Sequence, residues 1–268
     1  MQQRITLADG GELSVLVQGA GHPVLFVHGF PLDHTMWRAQ MGALADQFQV
    51  IAPDLRGFGQ SSVTAGTVTM QQHADDLAEL LATLGINESV TLCGLSMGGY
   101  IAWQFWKRHP ERLARLILCD TRAAADSAEA QQTRHTVASR VLAEGSDFLA
   151  EAMPAKLFSP YTFTHHPELI TATQRIIRTT QPQGIAAAAL GMAARVDATD
   201  WLGDIDVPTL LIVGQDDQIT TVDEMRSLAA LIPEASFVAI DDAGHMAPLE
   251  APQPVNAAIE HFLLGTSV

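Results

Sequence analysis

The residues with the most chemical meaning lie in the string Gly94-Leu95-Ser96-Met97-Gly98-Gly99. A serine hydroxyl is a weak nucleophile at neutral pH and attacks a carbonyl carbon only when a neighbouring base takes its proton. The string follows an apolar run at 89–95 and opens a helical pattern that reaches residue 109. A chain that reverses from strand to helix at a serine adopts strained dihedrals, and side chains two positions either way would collide. Glycines at 94 and 98 remove those collisions. The same turn lifts the serine Oγ above the sheet and aims a helix N-terminus at it, which favours developing negative charge. An ordinary N-cap serine in a tight turn is the alternative for the string taken alone. With the partners below, Ser96 is the expected nucleophile.

The base must be a histidine on a loop at the same edge. Of the ten histidines, His245 sits in Asp242-Ala243-Gly244-His245-Met246-Ala247, directly after the last strand-like run. His73, His109, His135 and His261 lie in helical patterns, and His22, His165 and His166 lie in polar loops. A carboxylate must hold the imidazole in the correct tautomer. Asp217, in Gly214-Gln215-Asp216-Asp217 beyond a strand end, stands upstream of the histidine as the order Ser…Asp…His requires. Asp216 competes, because a shift of one residue exchanges the two side chains, and so does Asp120, at the end of the strand after the nucleophile. An oxyanion hole is also required. Its donors are expected to be the backbone N–H groups of Met97 and of Phe30, which follows Gly29 in the loop after residues 23–28. His28 reads as a structural histidine tying that loop by hydrogen bonds.

These residues need a scaffold that brings strand ends together. Strands are expected at 23–28, 49–53, 89–95, 113–119, 207–213 and 236–240, with two shorter ones around the Asp9-Gly10-Gly11 turn. Runs such as VTLCGL and LARLILC are apolar without a polar alternate face, as parallel strands covered on both sides should be. Helical patterns at 34–46, 70–84, 97–109, 222–231 and 252–263 alternate with them, so the fold class is α/β. In such sheets reactive groups gather at the carboxyl ends of the strands. Residues 122–201 break the rhythm. They show no strand, only alanine-rich helical segments punctuated by Pro154, Pro160, Pro167 and Pro182. Three or four helices there would form a cap, leaving 1–121 and 202–268 as the core. Leu157, Phe158, Met192 and Met246 are candidates for a substrate pocket, and Arg122, Arg175, Arg178 and Arg195 are the cations available nearby.

At 268 residues, with 47% hydrophobic and 17% charged, the chain supports one large core. Thirty acidic against fifteen basic residues give a formal charge of −15. That field repels nucleic acid and anionic membranes, so neither is an expected partner. No run approaches a membrane span and the N-terminus lacks a secretory pattern. The two cysteines, Cys93 and Cys119, read as buried free thiols in a reducing cytoplasm. Neither has metal-site spacing with histidines, and no metal or organic cofactor is implied.

Five ordered motifs together resemble the α/β-hydrolase superfamily: His28-Gly29-Phe30-Pro31, the stretch from Pro53 to Ser61, Gly94 to Gly99, the Asp217 loop, and Gly244-His245. The resemblance spans about residues 23 to 263. It implies an eight-stranded, mostly parallel sheet with a helical cap, and is similar to cofactor-free esterases and lactonases related to 3-oxoadipate enol-lactonase. The stretch from Asp54 to Ser61 reads as a structural loop. Relatives that attack with aspartate, the haloalkane dehalogenases and epoxide hydrolases, are set aside by Ser96. The expected activity is therefore a carboxylesterase acting on small to medium apolar esters. A lactonase, a C–C bond hydrolase, a perhydrolase and a slow-turnover small-molecule receptor are the alternatives. A small-molecule ester or lactone is the expected partner, and the sequence is silent on oligomeric state.

Overall fold

The computed structural model describes residues 1–265. Eight strands form one sheet: β1 (Gln2–Thr6), β2 (Glu12–Gln18), β3 (Pro23–Val27), β4 (Gln49–Pro53), β5 (Val90–Leu95), β6 (Leu113–Cys119), β7 (Thr209–Gly214) and β8 (Ser236–Ile240). Their spatial order is β1-β2-β4-β3-β5-β6-β7-β8. β1 and β2, and β2 and β4, pair antiparallel. From β4 onward every pairing is parallel. The eight-stranded, mostly parallel sheet thus has the expected form, and its strands stand close to their expected places. β7 starts two residues later than expected, after Pro208, which has no N–H to give to the ladder.

Helices cover both faces. They are α1 (Arg38–Leu44), α2 (Met70–Thr83), α3 (Met97–Arg108), α4 (Ala128–Glu144), α5 (Asp147–Ala152), α6 (Pro154–Leu157), α7 (Pro160–His165), α8 (Pro167–Thr179), α9 (Pro182–Ala193), α10 (Val222–Leu231), α11 (Ala247–Glu250) and α12 (Pro252–Leu264). The pattern at 34–46 resolves into two pieces. A 3-10 turn at His34–Trp37, capped by the Asp33 side chain on the Thr35 amide, leads into α1.

Alternate strand residues point to opposite layers, as the period of two requires. In β3, Leu25 and Val27 join the layer under α2, α3 and α10, while Val24 and Phe26 join the layer with α1 and α12. Every residue of β3, β5 and β7 is buried. Each fully buried aliphatic side chain contributes roughly 1.5–3 kcal/mol of transfer free energy, so the central strands anchor the platform on which the loops stand.

Between β6 and β7 the chain runs through α4 to α9 without a strand. The segment is cut more finely than the three or four helices expected. Pro154, Pro160, Pro167 and Pro182 each open a helix at its first turn, where the missing N–H would be unpaired anyway and φ is preset. The prolines start helices here rather than merely ending them. The segment's buried Val141, Leu149, Leu157, Ile177 and Ile185 join the hydrophobic cluster that also holds residues of α1 and α12. Among the described residues no helix is long and apolar enough to cross a membrane.

Candidate active site

β5 ends at Leu95 and α3 begins at Met97, so Ser96 carries the whole reversal. Its φ of 52° and ψ of −110° lie where a residue with a Cβ is strained. The packing shows why glycines flank it. A Cβ on Gly94 would sit 2.4 Å from the Gly98 carbonyl oxygen, and one on Gly98 would sit 2.3 Å from that of Val27. The serine backbone is held on both sides: its N–H donates to the Cys119 carbonyl at 3.0 Å, and its carbonyl accepts from the Thr121 hydroxyl at 2.7 Å.

The Ser96 side chain meets His245. Ser96 Oγ lies 2.9 Å from His245 Nε2, and His245 Nδ1 lies 2.8 Å from Asp217 Oδ2. The pattern suits the tautomer in which Nδ1–H donates to the carboxylate and Nε2 accepts from the hydroxyl. Asp217 is buried, and its second oxygen accepts from the amides of Ile219 at 2.7 Å and Thr220 at 3.0 Å. Of the three carboxylates weighed from sequence, Asp217 is the one bonded to the imidazole.

Asp120 stands close by in a different state. One of its oxygens, one of Asp217 and a ring nitrogen of His245 lie within 4.8 Å of one another. Asp120 Oδ1 accepts from Gly214 N–H at 2.8 Å, while its Oδ2 is buried without a hydrogen-bond partner. Burial, reinforced by the negative charge of Asp217, pushes the Asp120 carboxyl well above the usual range. Asp216 makes no bond to the imidazole; its amide donates to the Ala243 carbonyl.

The expected oxyanion donors flank the nucleophile. Met97 is the first residue of α3. Phe30 follows Gly29, whose missing Cβ would stand 3.6 Å from Ser96 Cβ, so this turn abuts the nucleophile. His28 is fully buried; it accepts from the Leu55 amide at Nε2 (3.0 Å), and its Nδ1 is placed to donate to the Gly29 carbonyl (2.9 Å). Its burial holds the imidazole pKa down, which keeps it neutral in this bridge. A second histidine–carboxylate pair, His34 Nδ1 to Asp54 Oδ1 at 2.6 Å, ties the 3-10 turn to the loop after β4. The Ser61 hydroxyl bonds the Asp54 main-chain carbonyl rather than the imidazole.

A cavity of about 480 Å³ opens beside Phe30, lined in part by Arg122, Val137, Leu149, Met153 and Ala189. The four pocket candidates from sequence do not line it. Leu157, Phe158 and Met246 are buried in the layer shared with α1 and α12, and Met192 in the opposite layer. Neither Ser96 nor His245 lines that cavity either. Among the arginines singled out, Arg122 reaches the cavity but is engaged with Glu224 at 3.0 Å. Sequence reasoning also passed over Glu250. This buried carboxylate accepts from the amides of Gly244 and Met246, on either side of His245. The available signal was one acidic residue in the apolar stretch from Ala247 to Pro252.

The fold and this constellation define a hydrolase of the α/β type. The alpha/beta hydrolase fold family model matches residues 22–252, and the chain belongs to that family. Among solved structures, a thermophilic esterase from Thermogutta terrifontis, determined with malate bound, shares 50% identity with a TM-score of 0.96, covering 99% of this chain and 98% of that one. The enol-lactonase from Burkholderia xenovorans shares 28% identity with a TM-score of 0.91, covering 98% and 100%. In sequence, 3-oxoadipate enol-lactonase 1 of Acinetobacter baylyi is 30% identical over 251 residues, covering 93% of this chain and 92% of the relative.

Proposed function

We propose that the protein is a carboxylesterase that cleaves small to medium apolar esters through an acyl-enzyme on Ser96. The observation that carries this reading is the unbroken chain Ser96 Oγ–His245 Nε2 at 2.9 Å and His245 Nδ1–Asp217 Oδ2 at 2.8 Å. His245 takes the Ser96 proton as Oγ attacks the ester carbonyl. The N–H groups of Phe30 and Met97 receive the resulting oxyanion. Collapse of the tetrahedral intermediate expels the alcohol, which leaves with the proton held on His245. Water then gives its proton to His245 and attacks the acyl carbon, and Ser96 departs with that proton restored. Asp217 keeps the imidazole oriented and stabilises its charged form.

The likeness to the Thermogutta terrifontis esterase at 50% identity supports the ester class. Residues 122–201 serve as a cap over the core formed by 1–121 and 202–268, and Val137, Leu149, Met153 and Ala189 give the cavity an apolar wall. A lactonase is the second reading, favoured by the enol-lactonase relatives. Of the three cations that line the cavity, Arg122 and Arg134 are paired with Glu224 and Asp126, and the third is Lys156. Buried free thiols at Cys93 and Cys119 fit a reducing cytoplasm.

The test is release of p-nitrophenol from acetate and butyrate esters, beside a panel of lactones. Wild-type turnover that disappears in Ser96→Ala supports the proposal. Full turnover by that variant, or none by wild type, overturns it. A preference for lactones over every simple ester selects the second reading.

A further inference from the structure

Four donors converge on the Glu250 carboxylate, and they come from two different parts of the chain. Oε1 accepts from Gly244 N–H at 2.9 Å and Met246 N–H at 3.2 Å, the residues on either side of His245. Oε2 accepts from Ser159 N–H at 2.8 Å and Thr162 Oγ1 at 2.7 Å, at the start of α7 in the helical segment. A carboxylate offers about four acceptor sites, so this one is fully committed. Glu250 is 8% exposed, and Thr162 and Ser159 are buried.

Two further observations join the same surfaces. The Ser159 hydroxyl donates to the Asp242 carbonyl at 2.8 Å, in the strained turn that leads to the histidine. A Cβ on Gly244 would stand 2.8 Å from the Ser159 nitrogen and 3.0 Å from the Leu157 carbonyl oxygen. The backbone at 157–159 thus lies directly on the backbone at 244. His245 itself is held through its ring by Asp217, which leaves the position of its main chain to be set by other groups.

We propose that Glu250 is a positioning residue that makes the seat of the proposed cap and the seat of the His245 imidazole a single unit. The proposal rests on the esterase reading of Ser96 and His245. Movement of residues 159–162 pulls on one carboxylate oxygen, and the other oxygen passes the displacement to the two amides that bracket the base. Since a misplacement of about 1 Å can cost on the order of 100-fold in rate, the cap's seating reaches the rate of the chemical step rather than substrate binding alone.

Glu250→Gln tests the link, because an amide –NH2 would face two of the four donors. The expected result is a kcat for p-nitrophenyl acetate lowered about 10- to 100-fold, with KM little changed. The downfield His245 Nδ1–H proton resonance, assigned by its absence in Asp217→Asn, should broaden or shift. Thr162→Val removes one cap donor without touching the histidine loop; it should lower kcat about fivefold, and Thr162→Ser should restore it. Combining Glu250→Gln with Thr162→Val should be no worse than Glu250→Gln alone, since both act through one carboxylate. Unchanged kcat in Glu250→Gln, or multiplied effects in the double variant, overturns the proposal. If Glu250→Gln does not fold, the Thr162 pair decides: wild-type kcat in Thr162→Val overturns it, and loss rescued by serine supports it. Wild-type hydrolysis that depends on Ser96 is measured alongside, so failure of the esterase reading is separable from failure of the link.

Discussion

The two loops that bring Ser96 and His245 together are built on opposite plans. The serine turn is held by close backbone packing: Gly94 fits against the Gly98 carbonyl and Gly98 against that of Val27 in the neighbouring strand, and the first turn of α3 follows at once. The histidine loop is held by two carboxylates. Its ring rests on Asp217, 28 residues away, and its main chain on Glu250, which also grips Ser159, 91 residues away. A closely packed turn places one reactive atom by steric exclusion. A remotely tethered loop places the other through charge-assisted bonds, which are stronger than neutral ones but are lost when a single partner is removed.

Substitutions can separate the two plans. Removing the nucleophile with Ser96→Ala should lower kcat roughly a million-fold, and Asp217→Asn should lower it roughly ten-thousand-fold by favouring the wrong tautomer, with the fold intact in both. Steady-state rates on p-nitrophenyl acetate measure both; equal rates for Asp217→Asn and wild type would show that the tether does not govern the base. Gly98→Ala attacks the serine turn sterically. Its Cβ would meet the Val27 carbonyl oxygen at 2.3 Å, and main chain in a central strand cannot step aside. A stability loss of about 1–3 kcal/mol is expected, read by chemical denaturation, together with a fall in kcat. A gentler change is Thr121→Val, which removes the hydroxyl that bonds the Ser96 carbonyl. It should cost about 1 kcal/mol of stability and leave kcat within tenfold, because glycine packing still fixes the turn.

The smallest effect at neutral pH should come from His73. It is buried in α2 with both ring nitrogens unpartnered, and burial depresses its pKa to about 3. Above pH 6.5 the ring is neutral in folded and unfolded chains alike and favours neither. Between pH 6.5 and about 3 the unfolded chain binds the proton and the folded chain does not. Stability is then lost as pH falls, by up to about 1.4 kcal/mol per unit. His73→Leu should melt much like wild type at pH 7.5 and above it at pH 4.5. Parallel losses in both proteins would assign acid sensitivity to other groups.

The same contrast explains what could be read from sequence. Everything local was legible: the apolar strands, the glycine-flanked serine, and the histidine loop after the last strand. Asp217 needed a register within a loop that sequence alone leaves open to Asp216, and the three-dimensional bond to His245 separates them. The cavity was not legible, since its wall joins residues 30, 122, 137, 153 and 189 through packing that no periodicity encodes. Leu157, Phe158, Met192 and Met246, singled out for a pocket by side-chain type, are all buried. Glu250 was missed for a related reason. Its importance lies in four donors that become neighbours only after the chain has folded.

The two sulfurs beneath the serine turn have a practical consequence. Cys93 and Cys119 are both buried and free, and Cys119, with the Cys93 sulfur beside it and water excluded, has its thiol pKa pushed up. Alkylating reagents need an accessible thiolate, which neither provides. A cysteine engineered onto exposed α7 or α8 would then be the chain's single reactive handle. Dyes or spin labels attached there would report on these helices without background from the native thiols.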